Sequence, residues 1–187
     1  LGKEVQTTGK GYRGMVLQRP LFLWGFMGSG KSSHGREIAR AWKLPFYETD
    51  QLVVERVGLS IAEIFTTQGE AGFRRAEQSV LHSLDLSTPS VIATGGGMPC
   101  FEDNAHWMRE RGLTVYISLP VNTLVDRILQ SRTTRPLLPE KKREALYEHV
   151  THLLAEREAS YCQAHLAIDG HLLNVAYLEN ILRVLPL

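Results

Sequence analysis

Residues 25–32, Gly25-Phe26-Met27-Gly28-Ser29-Gly30-Lys31-Ser32, constrain this chain more than any other stretch. They follow the spacing G-x-x-x-x-G-K-[ST] and come directly after an apolar run, Leu21-Phe22-Leu23-Trp24. A buried strand that turns through glycines into a helix presents a row of backbone N–H groups to a phosphate. The glycines let the backbone wrap around it without side-chain obstruction. Lys31 is placed to reach β- and γ-phosphates, and the Ser32 hydroxyl to ligate Mg²⁺. Gly28, Ser29, Gly30, Lys31, Ser32 and Ser33 are therefore the candidate nucleotide-binding residues.

The rest of the chain alternates strand and helix. Short apolar runs at 21–24, 45–49, 91–94, 114–119 and 166–169 suit parallel strands buried on both faces. Helical patterns lie between them at 31–42, 71–84, 104–111, 120–129, 143–164 and 174–184. Ser60-Ile61-Ala62-Glu63 reads as a capping box that opens a further helix. Gly112 reads as the left-handed glycine just past the 104–111 helix. The pattern predicts an α/β layered domain with a mainly parallel sheet. Prolines 136 and 139 deny regular helix to the basic segment 131–143, which suits a mobile lid over phosphates.

Bulk properties narrow the function. At 187 residues the chain suits one domain. A net charge of +1 excludes broad electrostatic attraction to nucleic acid, so any anion site is local. No apolar run approaches the ~20 residues needed to cross a bilayer. Cys100 and Cys162 form neither a disulfide framework nor a zinc pattern, and they point to a reducing, cytoplasmic setting. His149 and His152 are expected on a solvated helix face. Residues 1–14 are polar and unpatterned, and are expected to be a tag or loose leader before a single domain at 15–187.

An ordered series of motifs then resembles shikimate kinase, a family of the nucleoside-monophosphate-kinase-like P-loop group. After the phosphate loop come Pro45-Phe46-Tyr47-Glu48-Thr49-Asp50 and Gly58-Leu59-Ser60-Ile61-Ala62-Glu63-Ile64-Phe65. Gly69-Glu70-Ala71-Gly72-Phe73-Arg74-Arg75-Ala76-Glu77 and Thr94-Gly95-Gly96-Gly97 follow. Arg135-Pro136-Leu137-Leu138 and the pair Arg157, Tyr161 complete it. The resemblance spans residues 17–170. It implies a three-layer P-loop kinase fold, with a five-stranded parallel sheet flanked by helices and a lid. It implies ATP and Mg²⁺ as cofactors and a monomer with no membrane partner. The implied reaction is phosphorylation of the shikimate 3-hydroxyl, in aromatic amino acid biosynthesis.

The same resemblance assigns residues. Asp50 contacts the attacking hydroxyl and can accept its proton; helix N-capping is its alternative role. Arg74 and Arg157 bind the substrate carboxylate, because a planar guanidinium meets a carboxylate with two parallel hydrogen bonds. Glu77 is positioned to brace Arg74, whereas Arg75 is an ordinary surface residue. Gly95, Gly96 and Gly97 let substrate lie on the backbone with N–H groups as donors. Arg135 approaches the γ-phosphate from the lid, and Arg132 faces the nucleotide. Glu48 stands where the family usually has the first Asp of Asp-x-Asp, a residue that holds Mg²⁺ through water. Period-two geometry predicts Glu48 and Asp50 on one strand face. The family's Arg-x-Pro-Leu-Tyr reads Arg157-Glu158-Ala159-Ser160-Tyr161 here. Two alternatives stay open: a kinase of the same fold acting on another small hydroxy acid such as gluconate, and a nucleotide-binding regulatory module, which Glu48 favours.

Overall fold

A computed structural model describes residues 17–131 and 142–184. The expected leader, Arg132, Arg135 and nearly all of the expected lid lie outside the described residues.

Five strands form one parallel sheet: β1 (Leu21–Trp24), β2 (Phe46–Glu48), β3 (Val91–Ala93), β4 (Leu113–Ser118) and β5 (Leu166–Asp169). Their order is β2-β3-β1-β4-β5, so β1 is central, hydrogen-bonded to β3 on one side and β4 on the other. Successive residues of β1 alternate between the faces. Leu21 and Leu23 pack with Val91, Val115, Ile38, Trp42 and Leu178, while Phe22 and Trp24 pack with Ile92, Leu81 and Met108. Both faces are therefore covered by helices, as a continuous apolar strand requires. The helices are α1 (Lys31–Trp42), α2 (Thr49–Val57), α3 (Ile61–His82), α4 (Asn104–Arg111), α5 (Val121–Gln130), α6 (Arg143–Tyr161) and α7 (Val175–Val184). The result is the expected three-layer domain. The carboxyl ends of its central strands open beside the point where the chain order reverses, the usual ligand crevice of open α/β sheets.

Four local expectations change or sharpen. The Ser60 capping box is present, with the Ser60 N–H donating to Glu63 Oε2 at 2.8 Å and the Glu63 N–H to Ser60 Oγ at 3.3 Å. The helix it opens runs into the one predicted from residue 71, kinked at Gly69 (φ 67°, ψ −179°), a conformation that favours glycine. The strand predicted at 45–49 ends at Glu48, and Thr49 and Asp50 already belong to α2. Gly112 does follow α4, but its φ of −163° is extended, not left-handed. Its reason for being glycine is steric: a Cβ there would meet the Pro20 carbonyl oxygen and lie 2.7 Å from the Phe22 ring. Finally, His152 is exposed as expected, whereas Nε2 of half-buried His149 is shielded from solvent.

Candidate active site

The phosphate loop leaves β1 at Gly25, whose φ of +139° and 2.6 Å clearance from a would-be Cβ to the Ile117 carbonyl oxygen exclude any side chain. Lys31 opens α1, and its ammonium donates to the carbonyls of Gly25 (2.8 Å) and Phe26 (2.9 Å). The charge is thereby held inside the curl of the loop. Ser29 is wholly buried, with its backbone N–H bonded to Phe26 at 3.1 Å. Arg127 of α5 donates from Nη1 to the carbonyls of Gly28 and Ser29, both at 3.3 Å. His34, in the first turn of α1, packs its ring on Gly30, 3.0 Å from where a Cβ would stand. Burial lowers the His34 pKa, and Arg127 lowers it further against the opposing charge of Glu37.

Beside the loop, Ser32 Oγ donates to Glu48 Oε1, and Arg36 Nη2 donates to Glu48 Oε2 at 2.5 Å. A hydroxyl and a carboxylate side by side form a hard oxygen donor pair, which suits Mg²⁺ with water and phosphate completing its shell. The residues present fit that ion. Glu48 and Asp50 both border the same cavity, but not from one strand face. Glu48 closes β2, whereas Asp50 reaches in from the first turn of α2. A helical advance separates them where the period-two rule put them together.

The Gly95–Gly97 segment joins the remaining groups. Gly95 lies against Asp50 and Glu77: a Cβ there would be 2.7 Å from Asp50 Oδ1 and would collide with Glu77 Oε1. The Gly95 N–H is taken by Thr49 Oγ1 at 2.8 Å, so it braces α2 instead of facing the cavity. Gly96 faces the phosphate loop, its would-be Cβ 3.4 Å from the Met27 nitrogen and 3.7 Å from Arg157 Nη1. Its carbonyl accepts from the Tyr161 hydroxyl. Gly97 lies on the Arg74 guanidinium, where a Cβ would collide with Cζ and both Nη atoms. One short backbone segment thus touches the carboxylate, the phosphate loop and both buried arginines.

Arg74 and Arg157 are buried, whereas Arg75 is exposed. Arg157 lies with Cζ 5.6 Å from the centre of the Phe26 ring, so the changed residues after it leave the charge in place. Arg74 Nη1 donates to Glu77 Oε2 at 2.5 Å, the expected brace. Arg74 Nε and Nη2 both donate to Glu70 Oε1, at 3.3 and 3.0 Å. Burial pushes the Glu77 carboxyl up to about 7; the Arg74 charge opposes this and neighbouring Asp50 adds to it.

A cavity of about 740 Å³ collects these groups. Of the expected site residues it is lined by Gly28, Gly30, Lys31, Ser32, Ser33, Glu48, Asp50, Arg74, Gly96, Gly97 and Arg157. Ser29 and Gly95 stand behind its wall. It also takes in residues that sequence reasoning missed: His34, Arg127, Ile61, Phe65 and Phe73. His34 had a usable signal, since a side chain in the first turn after the loop leans back toward it. Arg127 had none, because only tertiary packing carries α5 to the loop. Among the described residues no group of three or more His, Cys, Asp or Glu could hold a metal, and no helix is long and apolar enough to cross a membrane.

Comparison with known proteins finds relatives alike in sequence and in fold. The sequence model of the family described as "Shikimate kinase" matches residues 27–185. A shikimate kinase of Bacteroides thetaiotaomicron is 38% identical over 150 residues, which are 80% of this chain and 86% of that protein. A crystal structure of shikimate kinase from Bacteroides thetaiotaomicron has a TM-score of 0.81 at 33% identity, over 88% of this chain and 98% of that one. Shikimate kinase from Acinetobacter baumannii in complex with shikimate has a TM-score of 0.77 at 31% identity, over 89% and 92% of the two chains.

Proposed function

Because this chain belongs to the shikimate kinase family, we propose that its cavity aligns ATP and shikimate for direct phosphoryl transfer through the residues named above. The reaction is ATP-dependent phosphorylation of the shikimate 3-hydroxyl, giving shikimate 3-phosphate and ADP. Catalysis of this kind is mainly positioning and charge stabilisation. The backbone N–H groups of the loop and Lys31 hold the β- and γ-phosphates. Ser32 and Glu48 would hold Mg²⁺, which neutralises phosphate charge when bound. Asp50 orients the acceptor hydroxyl and takes its proton. Arg74 and Arg157 clamp the acceptor carboxylate. Arg135, by the family motif it sits in, approaches the γ-phosphate, and Arg132 the nucleotide.

The observation that supports this reading best is the placing of the Gly95–Gly97 backbone against Asp50, Met27, Arg157 and Arg74 in turn. An acceptor lying on Gly96 and Gly97 meets the phosphate loop and two guanidinium groups, with Asp50 lining the same cavity as proton acceptor. Lys31, Ser32, Glu48, Asp50, Arg74 and Arg157 converge on a single cavity within the fold, so we take the active form to be a monomer; light scattering tests it. Free Cys100 and Cys162 support a reducing compartment, and we assign the cytoplasm.

ADP release measured with shikimate, with gluconate and without acceptor tests the substrate assignment. Turnover is expected with shikimate alone. Lys31→Ala and Asp50→Asn are each expected to abolish transfer while circular dichroism stays native. Near-normal turnover in either variant would refute the roles given to these residues.

A further inference from the structure

Glu77 is the most buried carboxylate of the site, 1% exposed. One of its oxygens, Oε2, is engaged by Arg74. The other, Oε1, is shielded from solvent and has no hydrogen-bond partner among the described residues, yet it lies at Gly95 next to Asp50. An unpaired carboxylate oxygen in that setting is costly when charged and tolerable when it carries a proton.

Among the described residues, the charged and titratable groups around Glu77 come from four elements. Arg74 lies on its own helix, where it also binds Glu70; Asp50 comes from α2 and Arg157 from α6. Cys100, in the short turn Met98–Cys100, has its thiol pushed up by burial and stays neutral. Two guanidinium groups therefore already face the carboxylates of Asp50, Glu77 and Glu70. A bound acceptor acid brings a fourth carboxylate to the same two arginines. Either one carboxylate leaves, or one takes up a proton. Glu70 is half exposed and can turn to water, but Glu77 and Asp50 are fixed by burial and by the acceptor hydroxyl respectively.

We propose that the acceptor's carboxylate binds together with a proton, taken from solvent by Glu77 at Oε1, so that Arg74 exchanges an internal carboxylate partner for the acceptor's. The proposal rests on the acceptor being a carboxylic acid held by Arg74, as read above. The geometry then fixes the sign. Without acceptor, Glu77 titrates at about 7, and a further anion on Arg74 raises that value. Below pH 7 Glu77 already holds its proton, and binding is strongest and takes up none. Above pH 7 the proton must be supplied on binding, so affinity falls as pH rises, toward tenfold per pH unit.

Titration calorimetry of the binary complex with shikimate tests this, because leaving out ATP removes the nucleotide's own titration. Runs at pH 6 and pH 8, in two buffers of different ionisation enthalpy, report proton uptake directly. The expected result is little uptake at pH 6, most of a proton at pH 8, and a Kd several-fold to tenfold weaker at pH 8. Glu77→Gln keeps the shape and cannot titrate, so its Kd is expected to be flat over this range. Wild-type binding with no proton uptake at pH 8, or an unchanged pH dependence in Glu77→Gln, overturns the proposal. The wild-type measurement decides even if that variant does not fold. Absence of shikimate binding at both pH values would instead overturn the acceptor assignment on which the proposal stands.

Discussion

Replacing Gly97 by alanine isolates the contribution of Arg74. Gly97 has φ −102° and ψ −5°, a conformation alanine adopts without strain, so the backbone contributes no penalty. The added methyl instead falls on the guanidinium itself, colliding with Cζ, Nη1 and Nη2. Carbon atoms pack at about 3.5–4.0 Å, so Arg74 must move by an ångström or more. It cannot do so freely, because Glu77 holds Nη1 at 2.5 Å from within the core. The carboxylate clamp loses its geometry. A hydrogen bond to a charged group contributes about 1.5–3 kcal/mol. At about 1.4 kcal/mol per decade, the loss corresponds to a rise of roughly 10- to 150-fold in KM for shikimate. Overpacking of this kind also costs about 1–3 kcal/mol of stability, or a Tm lower by roughly 2–12 °C. Steady-state ADP release, with each substrate varied in turn, measures the effect. KM for ATP is expected to stay within twofold of wild type, since the phosphate loop is not touched. A shikimate KM within twofold of wild type would refute the reasoning, because Arg74 would then either not be confined by Gly97 or not receive the acceptor.

Two further substitutions probe other parts of the structure. Gly112→Ala adds a Cβ against the Pro20 carbonyl and the Phe22 ring, and is expected to lower stability by about 1–3 kcal/mol in thermal or urea unfolding, with kcat of the folded enzyme unchanged. Gly112→Asn is expected to be no better than Ala; an asparagine variant as stable as wild type would restore the left-handed reading of that helix end. Glu48→Gln keeps a hydrogen-bond acceptor for Ser32 but removes the charge, and is expected to raise the Mg²⁺ concentration for half-maximal turnover roughly 10- to 100-fold. Nucleotide binding followed against Mg²⁺ gives an independent readout, and an unchanged Mg²⁺ requirement would remove Glu48 from the metal's surroundings.

What the sequence revealed and what it hid follow from one physical distinction. Features written in local spacing were legible. The phosphate loop, the Ser60 capping box and the buried β1 strand each depend on residues a few positions apart. Gly95–Gly97 was legible for a different reason: three consecutive missing side chains mark a place that other groups must approach. Errors arose where a local period was extended past the end of its element. The strand rule paired Glu48 with Asp50, but β2 stops at Glu48 and the next residues turn into α2. Gly112 misled because a glycine after a helix looks alike in sequence whether it serves a left-handed turn or a tight contact.

The groups that were missed share one property: their role is set by a partner from a distant element. Arg127 reaches the carbonyls of Gly28 and Ser29 only because α5 packs Leu124, Val125 and Ile128 in one cluster with Phe26 of the loop. Glu77 was legible as a brace for Arg74 at i+3, since helix geometry alone provides that pair. Its proximity to Asp50 and Arg157 was not legible, because α2 and α6 converge on it only in the folded chain. A charge can be counted in a sequence, whereas the balance of charges in a cavity belongs to the fold. The proton expected on Glu77 follows from that balance: among the described residues, the guanidinium groups of Arg74 and Arg157 are shared among more carboxylates than they can neutralise, and the most deeply buried one is where a proton lowers the energy most.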